Sequence, residues 1–271
     1  MEELEVCLTV AGSDSGGEAG IQADMQAFSF FKCHALNAVT AVTAQNVDKV
    51  YAVNAVSEEV LRSQLQALKA YEFKYVKTGM LCNSGLVSVL LEELPKDVNL
   101  IIDPVMISSS GSVLLDEAGR QRVKSDLFSK AVVVTPNLPE INCFLGRKIS
   151  DLKLAAKEFY RNFKVPVYLK GGHNDDEPSK DFLCDAEGVW ELKTESIDNP
   201  PAVHGTGCRL SSAICANLAH GETLLKACVK AKAYMQACLQ NPYAITVYGS
   251  VNVLGHIHSI DEQVVSVRKV E

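Results

Sequence analysis

Short apolar runs rich in β-branched residues recur along this chain, with segments of helical apolar spacing between them. Buried strands are predicted at residues 6–11, 38–44, 75–81, 99–102, 131–135 and 165–170. Helices are predicted near residues 19–31, 56–71, 86–94, 117–127 and 152–163. Strands that alternate with helices form a mostly parallel sheet with helices on both faces. The sequence therefore predicts an α/β fold, a three-layer α/β/α sandwich around a mostly parallel sheet.

The last third of the chain adds a hairpin and two long helices. Residues 181–185 and 189–192 alternate around Ala186-Glu187-Gly188, which is typical of a hairpin added at a sheet edge. Helical spacing continues over 210–219 and 223–239. No internal repeat, low-complexity run or change of composition divides the chain, so we expect residues 1–271 to form a single domain.

The composition excludes several classes of partner. The chain has 26 basic and 33 acidic residues, a formal net charge of −7, and no block of lysine and arginine of the kind that binds nucleic acid. No apolar run approaches the roughly 20 residues that a membrane-spanning helix needs. The nine cysteines include no CxxC pair, and the chain start lacks the features of a signal peptide. We expect a cytoplasmic protein with reduced thiols that acts on small molecules.

A loop rich in proline and glycine, residues 199–207, runs directly into a predicted helix. Small residues at Gly205 and Gly207 let backbone N–H groups converge, and the helix adds its free N–H groups and the positive end of its dipole. This junction predicts an anion site. A bare Gly-Thr-Gly is more often an ordinary loop and helix cap, so this motif alone does not establish an anion site. The motifs elsewhere in the chain distinguish the two interpretations.

Polar side chains accompany the first predicted strands. Gln45 and Asn46 follow the second strand, and their amides suit the edge of a heterocycle because they donate and accept. Asp24, in the first predicted helix, is expected near the carboxyl edge of the sheet, where open α/β proteins bind ligands. Met80 after Gly79 suits packing against a planar ring. A solvated carboxylate and a core methionine are the alternatives for Asp24 and Met80.

Polar groups also follow the later strands. Asn137 and Glu140 share a helix face if the helix begins near Pro136, and they would then support a hydrated magnesium ion. The alternative for this pair is a capping interaction. Lys170 lies at a strand end beside two glycines, where it would meet a phosphate, although a solvated lysine explains it equally. The small, polar stretch 108–112 is predicted to be a mobile flap.

Several segments together carry a resemblance to a known family. They are AGSDSGGEAGIQAD at 11–24, TAVTAQN at 40–46, KTGML at 77–81, DPVM at 103–106, TPNLPE at 135–140, KGGH at 170–173 and HGTGCRLSSAI at 204–214. In order and spacing they resemble the hydroxymethylpyrimidine and phosphomethylpyrimidine kinases of thiamine synthesis, in the ribokinase-like superfamily. The likeness runs from the first strand to about residue 220, and the ordered set carries it rather than any single motif.

The resemblance implies a ribokinase-like fold, a homodimer and ATP-dependent phosphorylation of 4-amino-5-hydroxymethyl-2-methylpyrimidine, followed by phosphorylation of its monophosphate to the diphosphate. It implies that the pyrimidine is bound by Gly12, Asp24, Gln45, Met80 and Val105. An aminopyrimidine presents an amino donor beside a ring-nitrogen acceptor. An amide pairs with both groups, and a carboxylate accepts from the amino group.

The resemblance also implies a site for ATP and Mg²⁺, and it leaves open whether K⁺ assists. Nucleotide contacts are implied for Asn137, Lys170, His204, Thr206 and Arg209, and metal contacts for Asp103, Asn137 and Glu140. Catalytic roles are implied for Lys170, Gly205, Thr206, Gly207 and Cys208. The backbone N–H groups of residues 205–208 would hold the transferring phosphoryl group while Lys170 offsets its charge. Cys208 would take the hydroxymethyl proton, because a helix N-terminus lowers the pKa of a thiol.

The departures from the family pattern include two charged residues. Arg209 stands where the family usually has threonine or a small residue. A cation in the first turn of a helix is unfavourable by roughly 0.3–1 kcal/mol unless an anion is nearby, so Arg209 is predicted to bind a phosphate of substrate or nucleotide. Glu18 stands where glycine is frequent, and its charge is predicted to disfavour an already phosphorylated substrate.

The sequence is also compatible with two other functions. Pyridoxal and pyridoxine kinases share this architecture and act on a similar ring. A non-catalytic member that binds the pyrimidine or a nucleotide is the second alternative. The chain keeps the residues that would contact phosphate, metal ion or the transferred proton, which are Asn137, Glu140, Lys170 and Cys208. A protein that only binds its ligand could lose them, so their presence argues against that alternative.

Overall fold

The computed structural model describes residues 3–46, 48–107, 113–172, 179–197, 203–247 and 249–271. Within these ranges the strands are β1 (Val6–Asp14), β2 (His34–Gln45), β3 (Val50–Ala55), β4 (Tyr75–Thr78), β5 (Asn99–Ile102), β6 (Ala131–Val134), β7 (Val167–Leu169), β8 (Lys180–Asp185), β9 (Gly188–Lys193), β10 (Tyr243–Val247), β11 (Gly249–Val253) and β12 (Ser266–Lys269). The α-helices are α1 (Gly20–Phe30), α2 (Glu58–Leu68), α3 (Ser84–Glu93), α4 (Glu117–Arg122), α5 (Leu138–Leu145), α6 (Leu152–Phe163), α7 (Thr206–Ala219) and α8 (Leu224–Gln240).

Ten of the described strands form one mixed sheet in the order β12-β9-β8-β7-β6-β5-β4-β1-β2-β3, and β10 and β11 pair as a separate hairpin. The central strands β2, β1, β4, β5, β6 and β7 pair in parallel. Antiparallel strands flank them, with β3 on one side and β8, β9 and β12 on the other. The predicted mostly parallel sheet is confirmed, and so is the predicted hairpin, which is β8 and β9.

Apolar cores cover both faces of the sheet. Successive strand residues point to opposite faces, so in β5 Leu100 and Ile102 join one core and Ile101 joins the other. The first core contains apolar side chains of α2, α3, α5 and α6, and the second contains those of α1, α7 and α8. The predicted three-layer architecture is therefore confirmed. No helix within the described ranges is long and apolar enough to cross a membrane.

The sequence reading missed the edge strands β3 and β12. Their residues are mostly exposed, so they lack the apolar runs by which the buried strands were predicted. The helix predicted at 117–127 is α4 followed by a π-helical turn over Val123–Leu127. The predicted flap at 108–112, His173 and residues 199–202 lie outside the described residues.

Asp181 connects α8 to the end of β7. Its Oδ2 accepts hydrogen bonds from Nζ of Lys232 and Oη of Tyr168, both at 2.7 Å. Its Oδ1 accepts from the backbone N–H of Gly171 at 2.7 Å. All four residues are buried. This carboxylate therefore fixes the backbone that directly follows Lys170.

We expect Lys232→Met to lower the free energy of unfolding by about 3–5 kcal/mol, because it leaves the buried carboxylate of Asp181 without its cation. The matched control is Lys230→Met on the same helix, whose ion pair with Glu222 is partly exposed and should contribute less than about 1 kcal/mol. Urea unfolding of both variants, followed by circular dichroism, measures the difference. Equal losses in the two variants would show that burial of the Asp181 pair has no special effect.

Candidate active site

Most of the site residues predicted from the sequence lie where the parallel strands end and α7 begins. Met80 follows β4, Asp103 follows β5, Asn137 follows β6 and Lys170 follows β7. A bridge between Asn137 and Lys170 extends the pairing of β6 with β7. Ligands of open parallel sheets bind at this carboxyl edge.

The first turn of α7 is placed by a close backbone contact. Gly205 precedes the helix with φ of 77°, and no side chain caps the helix there. A Cβ at Gly205 would lie 1.8 Å from the carbonyl oxygen of Glu18, so only glycine fits. Thr206, the first helical residue, is exposed. The N–H groups of this turn are thus open to an anion.

Lys170 and Asp103 lie directly against that turn. A Cβ at Gly207 would lie 3.1 Å from Nζ of Lys170 and 3.6 Å from Oδ2 of Asp103. Nζ of Lys170 donates to Oδ1 of Asp103 at 2.9 Å. Burial alone would lower the pKa of Lys170, but the carboxylates of Asp103 and Glu140 raise it above its usual value. Lys170 is therefore a fixed cation beside the helix start.

Asn137 and Glu140 form the capping interaction that the sequence left as an alternative. Oδ1 of Asn137 accepts from the N–H of Glu140 at 2.9 Å, and Oε2 of Glu140 accepts from the N–H of Asn137 at 2.8 Å. Burial raises the pKa of Glu140 to about 7, with Lys170 opposing and Asp103 adding to the rise. The amide oxygen of Asn137 thus accepts one hydrogen bond from the first turn of α5 and keeps a second lone pair, so its contact with a metal ion stays a prediction.

The carboxylates near Lys170 are candidate ligands of a magnesium ion. Among the described residues, no group of three histidine, cysteine, aspartate or glutamate side chains is arranged to hold a metal ion directly. Magnesium keeps several waters and needs only one or two carboxylates. The carboxylates of Asp103 and Glu140 fit a hydrated ion of this kind.

Cys208 lies in the first turn of α7 and is partly buried. Burial raises the pKa of its thiol to about 11. Lys77 and a hydrogen bond from the backbone N–H of Gly20 act in the opposite direction, while the carboxylates of Asp24 and Asp103 add to the rise. The predicted lowering of this pKa by the helix N-terminus is wrong, because desolvation of the thiol outweighs it.

Asp24 lies beneath the site rather than on its surface. The residue is fully buried, and its carboxylate accepts from Nζ of Lys77 at 2.7 and 2.9 Å, from Oγ of Ser212 at 2.8 Å and from Oγ1 of Thr9 at 2.6 Å. A carboxylate has about four acceptor positions, and these bonds fill them. The prediction that Asp24 accepts directly from the pyrimidine is contradicted, and so is the alternative of a solvated carboxylate.

Of the other residues predicted to bind the ring, Gly12 and Met80 are buried, and Gln45 and Val105 are half-buried. A Cβ at Gly12 would lie 2.5 Å from Cε of Met80, so the glycine permits the close approach of that methionine. The backbone of Gln45 is held by Oγ of Ser15. Among the described residues, the side-chain amide of Gln45 has no hydrogen-bond partner and is available to a ligand. Val105, half-buried, follows Asp103.

Arg209 does not face the anion site. It is 3% exposed, and it donates to the carbonyl oxygen of Gly255 at 3.0 Å and to Oε1 of Gln26. The prediction that Arg209 binds a phosphate is therefore wrong, because its charge is used to tie the C-terminal segment to α1 and α7. Glu18 remains beside His204, and burial raises the pKa of its carboxyl. Within the described part of the chain, Oε2 of Glu18 is buried without a hydrogen-bond partner.

Sequence reasoning missed two charged residues. Asp14 holds the loop before α1, because its carboxylate accepts from the backbone N–H groups of Gly16, Glu18 and Ala19. Lys77 is the buried partner of Asp24. The sequence contains a signal for each residue. An aspartate in a glycine-rich turn, such as Asp14, typically accepts hydrogen bonds from the backbone of its own turn. Lys77 interrupts the apolar run of β4, which is unusual for a buried strand.

Comparison with known proteins gives concordant matches. A family model described as phosphomethylpyrimidine kinase matches residues 14–252. The chain is 39% identical over 248 residues to a hydroxymethylpyrimidine/phosphomethylpyrimidine kinase of Synechococcus elongatus, covering 89% of this chain and 94% of that protein. It is 40% identical over 242 residues to a probable thiamine biosynthetic bifunctional enzyme of Oryza sativa, covering 86% of this chain but only 44% of that enzyme.

A solved structure with the same fold is the pyridoxal kinase of Staphylococcus aureus in complex with ADP. The TM-score is 0.86 at 29% identity, and the superposition covers 99% of this chain and 100% of that one. The expected ribokinase-like architecture is thereby confirmed.

We expect the alkylation rate of Cys208 by iodoacetamide to rise about tenfold per pH unit from pH 7 to pH 10 without a plateau, because the thiolate is the reactive form and its pKa is raised to about 11. Quantitative peptide mass spectrometry measures the rate, and the exposed Cys143 controls for reagent delivery. A plateau of the Cys208 rate below pH 8 would contradict the raised pKa.

Proposed function

Because the chain belongs to the phosphomethylpyrimidine kinase family, we propose that the carboxyl edge of its sheet is the active site of an ATP-dependent kinase of thiamine biosynthesis. The enzyme phosphorylates 4-amino-5-hydroxymethyl-2-methylpyrimidine and then phosphorylates the monophosphate to the diphosphate. The observation that carries the site assignment is the convergence of the uncapped first turn of α7 with Lys170 and Asp103. Phosphoryl transfer needs such positioning and charge neutralisation more than covalent help.

We assign the pyrimidine to the surface formed by Gly12, Gln45, Met80 and Val105. The free amide of Gln45 is suited to pair with the amino group and the adjacent ring nitrogen of the substrate. Met80, 7% exposed and packed against Gly12, is suited to contact the ring face. Asp24 supports this surface from below through its buried hydrogen bonds.

We assign the transferring phosphoryl group to the N–H groups of residues 205–208 and to Lys170. His204 and Thr206 lie at the same turn, where a nucleotide phosphate would meet them. A hydrated Mg²⁺ would be held through its waters by Asp103 and Glu140 and would neutralise phosphate charge. The thiolate of Cys208 would accept the proton of the attacking hydroxymethyl group.

We further propose one kinase domain over residues 1–271, a homodimer and a cytoplasmic location. Strands from both ends of the chain enter the same sheet, which supports one domain. The exposed apolar side chains of Val42, Tyr51 and Val53 on β2 and β3 support association through this sheet edge. All nine cysteines are free, as expected in a reducing compartment.

The similarity to pyridoxal kinase favours a second candidate substrate. Mass analysis of products after incubation with ATP, Mg²⁺ and either the pyrimidine alcohol or pyridoxal decides between them. We expect mono- and diphosphate of the pyrimidine, formed faster than pyridoxal phosphate, and a loss of at least about 100-fold in Cys208→Ala. Faster turnover of pyridoxal would reverse the substrate assignment, and near-normal turnover of both Cys208→Ala and Cys208→Ser would end the assignment of Cys208 as the base.

We expect Glu18→Gln to raise the rate of the second phosphorylation relative to the first by about three- to tenfold, since it removes a carboxylate beside the anion site. Burial raises the pKa of Glu18, so lowering the pH should raise the same ratio in the unmodified enzyme but not in the variant. Time courses of mono- and diphosphate by mass spectrometry measure both. An unchanged ratio in Glu18→Gln would mean that Glu18 does not select between the two acceptors.

A further inference from the structure

Lys77 and Asp24 form an ion pair inside the protein, directly below the proposed site of transfer. Both side chains are 0% exposed, and Nζ of Lys77 lies 2.7 and 2.9 Å from the two oxygens of Asp24. Lys77 belongs to β4, between β1 and β5, and Asp24 belongs to α1. A Cβ at Gly79, just after β4, would lie 3.0 Å from Nζ of Lys77, so the ammonium reaches the carboxyl edge of the sheet.

The stability of the fold gives no reason for charges at these positions. Replacing a buried ion pair by apolar residues of similar size is often neutral or stabilising, because desolvation of the two ions offsets their attraction. Burial alone would lower the pKa of Lys77, but Asp24, Cys208 and Asp103 raise it above its usual value. Lys77 is therefore a permanent positive charge, and a use for that charge must lie in its surroundings.

Cys208 lies one helical turn before the residue of α7 that is bonded to the pair. Ser212, which donates to Oδ1 of Asp24, lies four residues after Cys208 on α7, and residues at this spacing are neighbours on one helix face. The charged groups that act on the thiol come from four elements: Lys77 of β4, Asp24 of α1, Asp103 after β5 and Lys170 after β7. Lys77 favours the thiolate, whereas Asp24 and Asp103 oppose it.

We propose that Lys77 and Asp24 are positioning residues that set the protonation of Cys208, with the ammonium stabilising the thiolate and the carboxylate limiting that stabilisation. The proposal rests on the function assigned above, in which this thiolate is the proton acceptor. The thiolate takes the hydroxyl proton as the substrate oxygen bonds to the γ-phosphorus of ATP. The bond from that phosphorus to the bridging oxygen breaks, ADP leaves with the electron pair, and the thiol returns its proton to solvent.

The proposal predicts that substitutions of Lys77 and Asp24 shift the pKa of Cys208 in opposite directions. In substrate-free protein, we expect Lys77→Met to raise the pKa of Cys208 and to lower its alkylation rate at pH 8 about tenfold or more, since one pKa unit is tenfold in thiolate. Asp24→Asn, which keeps the size of the carboxylate, should lower the same pKa and raise the rate. Iodoacetamide labelling across pH with peptide mass spectrometry measures Cys208, and Cys143 in the same samples is the reference.

If the pair had a purely structural role, both substitutions would shift the pKa of Cys208 in the same direction, because both would open or distort the site. The same direction of shift in both variants, or no shift in either, would overturn the proposal. Lys77→Arg keeps the charge and should keep the pKa of Cys208 within about half a unit of its original value. If Lys77→Met fails to fold in a urea titration, Asp24→Asn and Lys77→Arg still decide the question, because a raised pKa in Asp24→Asn contradicts the charge argument.

The labelling experiment needs no substrate, so its outcome is independent of the kinase assignment. A protein that forms no phosphorylated pyrimidine would contradict the proposed function whether or not the thiol pKa shifts. In the active enzyme, the pH profile of kcat for Lys77→Met should move to higher pH together with the thiol pKa. A profile that stays in place while the thiol pKa moves would overturn the part of the proposal that concerns catalysis.

Discussion

The position of the first turn of α7 depends on the contact between Gly205 and the carbonyl oxygen of Glu18. The left-handed backbone of Gly205 and the 1.8 Å approach that a Cβ would make leave no room for any side chain. This contact brings α7 against the loop before α1, which Asp14 holds by its own hydrogen bonds. Gly207 then meets Lys170, and the face of α7 that follows reaches Asp24 through Ser212. The proposed anion site and the contact of α7 with the buried ion pair therefore both depend on the position of this junction.

The balance of charge around this junction explains the pKa directions. Asp24, Asp103 and Glu140 contribute three carboxyl groups, while Lys77 and Lys170 contribute two cations, so carboxyl groups outnumber these cations. The raised pKa values of Glu140 and Cys208 both follow from burial together with this surplus. A bound metal ion would supply positive charge and favour the anionic forms of the same groups.

The architecture could be predicted from the sequence because apolar periodicity is a local signal. The strands β4 to β7 and the helices α6 and α8 lie close to their expected bounds for that reason. The partners of charged side chains were not predictable in the same way. Lys77 and Asp24 are separated by 53 residues, and Arg209 reaches Gln26 and Gly255 across 183 and 46 residues. The motif at Asn137 and Glu140 fitted both a metal pair and a capping box, and only the orientation of the two side chains distinguishes them.

Substrate choice cannot follow from the fold, because the same architecture belongs to a pyridoxal kinase that superposes over nearly the whole chain. It must follow from the few polar groups that a ring can reach. Asp24 is withdrawn from that set by its own hydrogen bonds, which leaves the amide of Gln45 as the group able to read both a donor and an acceptor on the ring edge. A pyridine ring without an amino group beside its nitrogen would leave one half of that amide unpaired, and an unpaired polar group in a closed site costs binding energy. In the proposed site, the preference for an aminopyrimidine would rest on Gln45, whereas the roles proposed for Lys77 and Asp24 concern the chemistry of any bound alcohol.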